Sequence, residues 1–175
     1  PFIGVERMKR ILDIAAKTGL GMARAIAYQS REVETKIYPD RKWEYIFVGG
    51  SHEFLKNGAR NLDARILFHF AVICVTPAMV QKMIGAGSQY MVAYVDANGD
   101  YLDGSQTYKL HLPPNIPINN FWSVTLYDPD TRSLLNTGQP KPSVNSFDEP
   151  EQNDDGSIDI YFGPSAPAGK EKNWV

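Results

Sequence analysis

The sequence predicts an α+β fold, with N-terminal helices packed on a C-terminal antiparallel β-sandwich of jelly-roll type. Three observations predict it. Apolar residues recur at spacings of three and four along the first thirty positions, the signature of an amphipathic helix. After Gly87 the pattern changes to short runs of aromatic and β-branched residues that end at Asp, Asn and Gly. Proline-rich links join those runs, as they do in sandwiches and jelly rolls. At 175 residues with 43% hydrophobic composition, folding can bury a sizeable core, about 70% of the unfolded chain's surface.

Each element has its own signal. Met8, Ile11, Leu12, Ala15 and Ala16 form the first apolar stripe, and Thr18-Gly19 with Gly21 predict a break near Gly19 and a second short helix from Met22 to Arg31. Trp43 to Val48 is aromatic and β-branched, is stopped by Gly49-Gly50, and reads as a strand or extended segment. Asn61 is placed to cap a helix running through Val75, and Pro77 suits the first turn of another that ends near Ile84. Further on, Gln89 to Val95, Gln106 to Leu112, Phe121 to Tyr127 and Ile158 to Phe162 read as strands, with a turn at Asp96-Ala97-Asn98-Gly99. Alternation assigns Trp122, Val124 and Leu126 to the core face, and Phe121, Ser123, Thr125 and Tyr127 to the other. The expected division is a mainly helical segment over 1–85 and an antiparallel β domain over 86–175.

Charge and length remove several classes. Residues 1–85 carry 13 basic against 8 acidic side chains and residues 86–175 carry 5 against 12, yet the net charge is only −2. The basic residues are scattered, without the tight cluster and interleaved aromatics of a nucleic-acid surface, so no nucleic acid is expected as a partner. The apolar run around Ile66 to Val75 would span roughly 21 Å as a helix, short of a hydrocarbon core of about 30 Å, so it reads as a core helix and not a membrane span. Cys74 lies in that run and reads as a small buried hydrophobe, and His69 as a hydrogen-bonded core or boundary residue. No leader pattern opens the chain, so any targeting segment is expected upstream or already removed.

A set of motifs is spread in order over the second half: Asp96-x-x-Gly99-x-x-Leu102-x-Gly104-x-x-x-Tyr108-x-Leu110, Pro113-Pro114, Phe121-Trp122-Ser123-Val124-Thr125-Leu126-Tyr127-Asp128, Asp155-Gly156-Ser157 and Asn173-Trp174. This half resembles the DUF1214 family. The resemblance implies jelly-roll-like sheets, an upstream DUF1254-like partner domain, and a periplasmic or secreted location. It also implies a Leu-Pro-type continuation and a final strand after Asn173-Trp174, so the chain is expected to be a fragment whose sheet keeps an open edge, and an open edge invites pairing with another copy. The resemblance carries no catalytic set.

Among local motifs, Asp96, Asn98, Asp100 and Asp103 place alternating oxygen-bearing side chains around Gly99, a pattern that can converge on calcium. It lacks the sixth-position Gly and twelfth-position Glu of an EF-hand, with Tyr101 and Thr107 there instead, and the plainer reading is a hairpin turn. His52-Glu53 begins like a zinc-protease helix, but Lys56 stands where the second His belongs. The Gly-Ser pairs complete no nucleophile elbow, and Gly85-x-Gly87 completes no dinucleotide fingerprint. Tyr127, Asp128 and Arg132 are the candidates for an open ligand site. Three functional readings follow: a binding or structural module of a larger envelope or secreted protein; a hydrolase- or lyase-like enzyme on a saccharide or small organic substrate, with Asp96, Asp128 or Asp155 as acid and base; and a self-assembling homo-oligomer. A glycosidase-like site would need two carboxyls about 5 to 9 Å apart.

Overall fold

The structure, a computed structural model, describes residues 3–72, 74–81, 83, 85 and 87–175, with the backbone alone at Ile3 and Gly4. It is a mixed helical and antiparallel structure that divides into two compact units, Pro1–Tyr101 and Leu102–Val175.

The first unit opens with helix α1, Ile3–Tyr28. The break expected near Gly19 does not occur. Neither Gly19 nor Gly21 takes a positive φ, Leu20, Met22, Ala23 and Ala25 around them are good helix formers, and α1 holds no proline. Two interior glycines cost about 1 kcal/mol each relative to Ala, and packing of the last turns against α2 (Leu62–Ala71) offsets that cost, with Ala27 fully buried. Further toward the N-terminus the cover is thinner among the described residues: Met8, Ile11, Leu12 and Ile14 are 48–61% exposed, and Met22 is 58% exposed.

A hairpin of β1 (Leu55–Lys56) and β2 (Ala59–Arg60) precedes α2 and turns at Asn57-Gly58, both at positive φ. That dipeptide is a strong hairpin signal, since a type I′ turn needs positive φ at both central residues. Helix α2 begins as expected, the Asn61 side chain accepting from the Ala64 amide at 3.1 Å. It stops at Ala71 instead of Val75: Val72 caps it, its amide donating to the Phe68 carbonyl, and Thr76, held extended before Pro77, leads into the short helix α3, Pro77–Val80. Gln81 is already extended, so α3 ends short of the end expected near Ile84, a residue that itself falls outside the described ones. Cys74 lies beyond the end of α2 and is exposed, not buried. His69 is likewise exposed on α2, with its Nδ1 2.9 Å from the Arg65 carbonyl oxygen.

The core of this unit gathers Val48, Phe54, Ala64, Leu67 and Phe68. Phe68, fully buried, meets Phe47 and Phe54 with ring centroids 4.8 and 5.3 Å away. Burying one such ring stabilises by about 1.5–3 kcal/mol. The strand expected over 43–48 is reduced to bridges from Glu44 to Lys36 and Val92, after which Gly49 and Gly50, at φ +68° and +64°, curl the chain into a 3-10 turn. The strand expected over 89–95 is likewise only that bridge at Val92 and another between Val95 and Tyr101. Tyr94 packs on Tyr28, and its burial raises the phenol well above its ordinary range.

In the second unit β3 (Tyr108–Leu112) pairs antiparallel with β6 (Ile158–Phe162), and β4 (Ser123–Thr125) with β5 (Ser143–Asn145). Period-two alternation places Leu110, Leu112, Val124, Val144, Ile158 and Ile160 in one shared core. Trp122 and Leu126 pack against that core as alternation predicts, while Phe121 and Tyr127 are 51% and 61% exposed. The C-terminal residues run beside the other edge of β6: Trp174 bridges Tyr161 in parallel, and the Val175 amide donates to the Tyr161 carbonyl at 2.9 Å. Three two-stranded ladders, including the small hairpin of the first unit, make up the sheet structure, and none closes a barrel among the described residues.

Candidate functional site

Tyr127, Asp128 and Arg132, expected to form an open ligand site, lie on one loop after β4. Tyr127 bridges Leu134 and stays exposed, so the chain reverses between them. Asp128 organises the reversal. Its Oδ1 accepts from the backbone amides of Asp130 (2.8 Å) and Thr131 (2.7 Å) and from the Thr131 hydroxyl (3.1 Å). The Thr131 amide bond above all holds the Asp128 carboxyl below its ordinary range, so it is ionised at neutral pH. Arg132 sits at φ +60°, donates its backbone amide to the Asp128 carbonyl, and donates Nη1 to the Asp130 carbonyl at 2.7 Å. Both polar side chains therefore serve the loop's own backbone.

The Asp96 loop has the same internal economy. Asp96 Oδ1 accepts from the amides of Asn98 (2.9 Å), Gly99 (3.0 Å) and Asp100 (3.0 Å), and Gly99 takes φ +95°. Asp103 belongs to the second unit, where its carboxylate accepts from the Ser105 amide at 2.8 Å, a bond that lowers its pKa. Among the described residues no group of three or more His, Cys, Asp or Glu is arranged to hold a metal ion. At the third turn, Asp155 Oδ1 accepts both the amide and the hydroxyl of Ser157, at 2.9 and 2.6 Å, and Asn153 Nδ2 donates to the same hydroxyl. Ser157 is 1% exposed, so that hydroxyl is a buried turn staple.

One charged cluster was not visible from sequence. His111 and Asp159 face each other across β3 and β6, Nδ1 to Oδ1 at 2.8 Å, and Lys109 Nζ reaches Asp159 Oδ2 at 3.4 Å. The hydrogen bond with His111 is the main reason the Asp159 carboxyl titrates low. The period-two pattern puts Lys109 and His111 on one face, but only the register with β6 brings Asp159 opposite them.

Residues 87–175, just over half of the chain, match the family described as "Protein of unknown function (DUF1214)". The chain belongs to the DUF1214 family. The match covers the Asp96 loop, the Asp128 loop and the C-terminal Asn173-Trp174. No curated protein matches this DUF1214 chain. Among solved structures it is similar to the VPA0106 protein from Vibrio parahaemolyticus, at 18% identity and a TM-score of 0.43, over 99% of this chain and 38% of that one. The chain thus spans well under half the length of that relative. Among the described residues no helix is long and apolar enough to cross a membrane.

Proposed function

We propose that this DUF1214 chain is a binding or structural module of a larger envelope or secreted protein, that its partner is a DUF1254-like domain, and that the uncovered stripe of α1 is the surface that meets it. The exposure of α1 carries this reading. Met8, Ile11 and Leu12 follow one another at helical spacing on one face, Met22 lies on the same face further along, and each is about half exposed or more. Contiguous apolar surface of this kind marks an interaction site on a water-facing protein. The carboxylates support a non-catalytic role, because Asp96, Asp128 and Asp155 each spend an oxygen on backbone amides of their own turn. A general acid or base needs a pKa moved toward the working pH, and Asp128 and Asp155 are moved the other way. The shared core of the β3–β6 and β4–β5 ladders supports the further reading of this unit as a jelly-roll-type sandwich.

Hydrogen exchange tests the surface. The expected result is at least tenfold slower exchange over residues 5–22 when the chain is co-purified with a DUF1254-like domain, and loss of the complex in the double variant Ile11→Asp, Leu12→Asp. Unchanged exchange in the mixture sinks the proposal. A doubled mass by light scattering for the chain alone, abolished by the same variant, would assign the stripe to a second copy instead.

A further inference from the structure

A cleft of about 170 Å³ opens in the second unit, bordered by Gln139, Lys141, Asp148, Lys172 and Trp174 with Val144 among its apolar lining. It uses no residue of the Asp128 or Asp155 turns. We propose that this cleft binds a small organic carboxylate.

Four observations converge. The Gln139 Nε2 is buried with no hydrogen-bond partner, and a buried amide left unpaired costs about 1–3 kcal/mol, so a rotation of this side chain that meets an acceptor in the cleft is favoured. Lys141 and Asp148 neutralise each other as an ion pair, and Asp148 also accepts from the Asn145 amide at 2.9 Å. Lys172 makes no ion pair among the described residues, which leaves the cleft one positive charge. Trp174 has its indole N–H already donated to the Gly163 carbonyl at 2.9 Å, so what remains to meet a ligand is its apolar ring.

The wall is also held in place. Asn173, between Lys172 and Trp174, is 2% exposed and fixed by three hydrogen bonds to Glu151 and Asp159. A carboxylate would accept from the Gln139 amide and the Lys172 ammonium, while a body of a few carbons rests on Trp174 and Val144. The volume suits such a molecule, since it equals roughly six waters at about 30 Å³ each. Larger cofactors need about 300 Å³ or more.

Titrating the whole chain with sodium propionate at constant ionic strength, and following amide and indole resonances by NMR, tests the site. Saturable shifts at the Gln139 side-chain amide and the Trp174 indole are expected, with at least tenfold weaker binding in Gln139→Leu and in Lys172→Met. Lys172 is exposed, so the second variant keeps its fold even if the first does not. Equal binding of propionamide would overturn the charge requirement, and shifts that merely track chloride would show a solvent-filled cleft and sink the proposal. Tighter binding of N-acetylglycine than of propionate would identify the carboxylate as that of a chain terminus, and the reverse order as that of a free acid.

Discussion

The side chain of Asn173 and the backbone of Glu151 bond reciprocally: the Glu151 amide donates to Oδ1 at 2.7 Å, and Nδ2 donates back to the Glu151 carbonyl at 2.9 Å. The other Nδ2 hydrogen goes to the Asp159 carbonyl at 2.9 Å, so one buried amide ties the segment before β6, β6 itself and the C-terminal segment together. Asn173→Ala removes all three bonds and leaves backbone groups unpaired. We expect a loss of about 2–4 kcal/mol in urea unfolding. Asn173→Asp should lose at least as much, since it removes both donors and adds a buried charge. A loss under about 0.5 kcal/mol for the Ala variant would show that the three bonds stabilise nothing.

Gly163 is constrained by closeness of approach. A Cβ there would lie 3.0 Å from the Thr107 hydroxyl oxygen, 3.2 Å from the Gln106 carbonyl oxygen and 3.3 Å from the Thr107 Cα. The hydroxyl can rotate, but the other two atoms are backbone, so Gly163→Ala must push β6 away from the start of β3. Overpacking of this kind costs about 1–3 kcal/mol. Gly163 also sits at φ +158°, so thermal unfolding of that variant beside Gly169→Ala, which meets no atom within 4 Å and sits at φ +72°, sets a site with close contacts against one whose cost is backbone conformation alone.

These two positions show what the sequence made legible and what it did not. Strands β3, β4 and β6 were predictable because alternation and β-branched residues fix a local period, and Asn61 was a predictable cap because its bond closes within three residues. Strand β5, in Pro142-Ser143-Val144-Asn145, was missed because it holds one apolar residue and forms only by pairing with β4. The break expected at Gly19 failed because local propensity yields to tertiary packing at Ala27. The His111–Asp159 pair depends on register between residues 48 apart in the chain, which no window of sequence contains. Candidate loops could be located from their Asp and Gly residues, but sequence could not tell that their carboxylates bond to their own turns.

Acid should unfold the second unit through its depressed carboxyls. Asp159 is lowered chiefly by its bond with His111, and Asp148 chiefly by Lys141, both from an ordinary value of 3.8. The unfolded chain therefore takes up these protons first as pH falls. The stability they contribute is complete above the unfolded value and is lost as pH drops through the lower folded values. We expect Tm to hold between pH 7 and about 5 and to fall below about pH 4, with a shallower fall in Asp159→Asn. A variant whose acid limb matches the parent's would remove Asp159 from the account. Because Lys109, His111 and Lys141 are half exposed, added salt should flatten the same limb.

Asp96 separates a turn from a metal loop. If the three amide bonds to Oδ1 are its work, Asn, which keeps an acceptor oxygen in the same place, should preserve stability, while Ala should cost about 1 kcal/mol, in the range of other side-chain caps. If Asp96, Asn98, Asp100 and Asp103 instead hold calcium, the order changes. Adding calcium at 1 mM would then raise the parent's Tm, and Asp96→Asn would lose that increment as fully as Ala does, because a metal ligand set depends on the carboxylate's charge. Thermal unfolding of the parent and both variants, with calcium and with chelator, gives the answer. A parent that melts identically in both, beside an intact Asn variant and a weakened Ala variant, makes the loop a turn fixed by backbone bonds; a calcium-dependent rise abolished by both substitutions makes it a site.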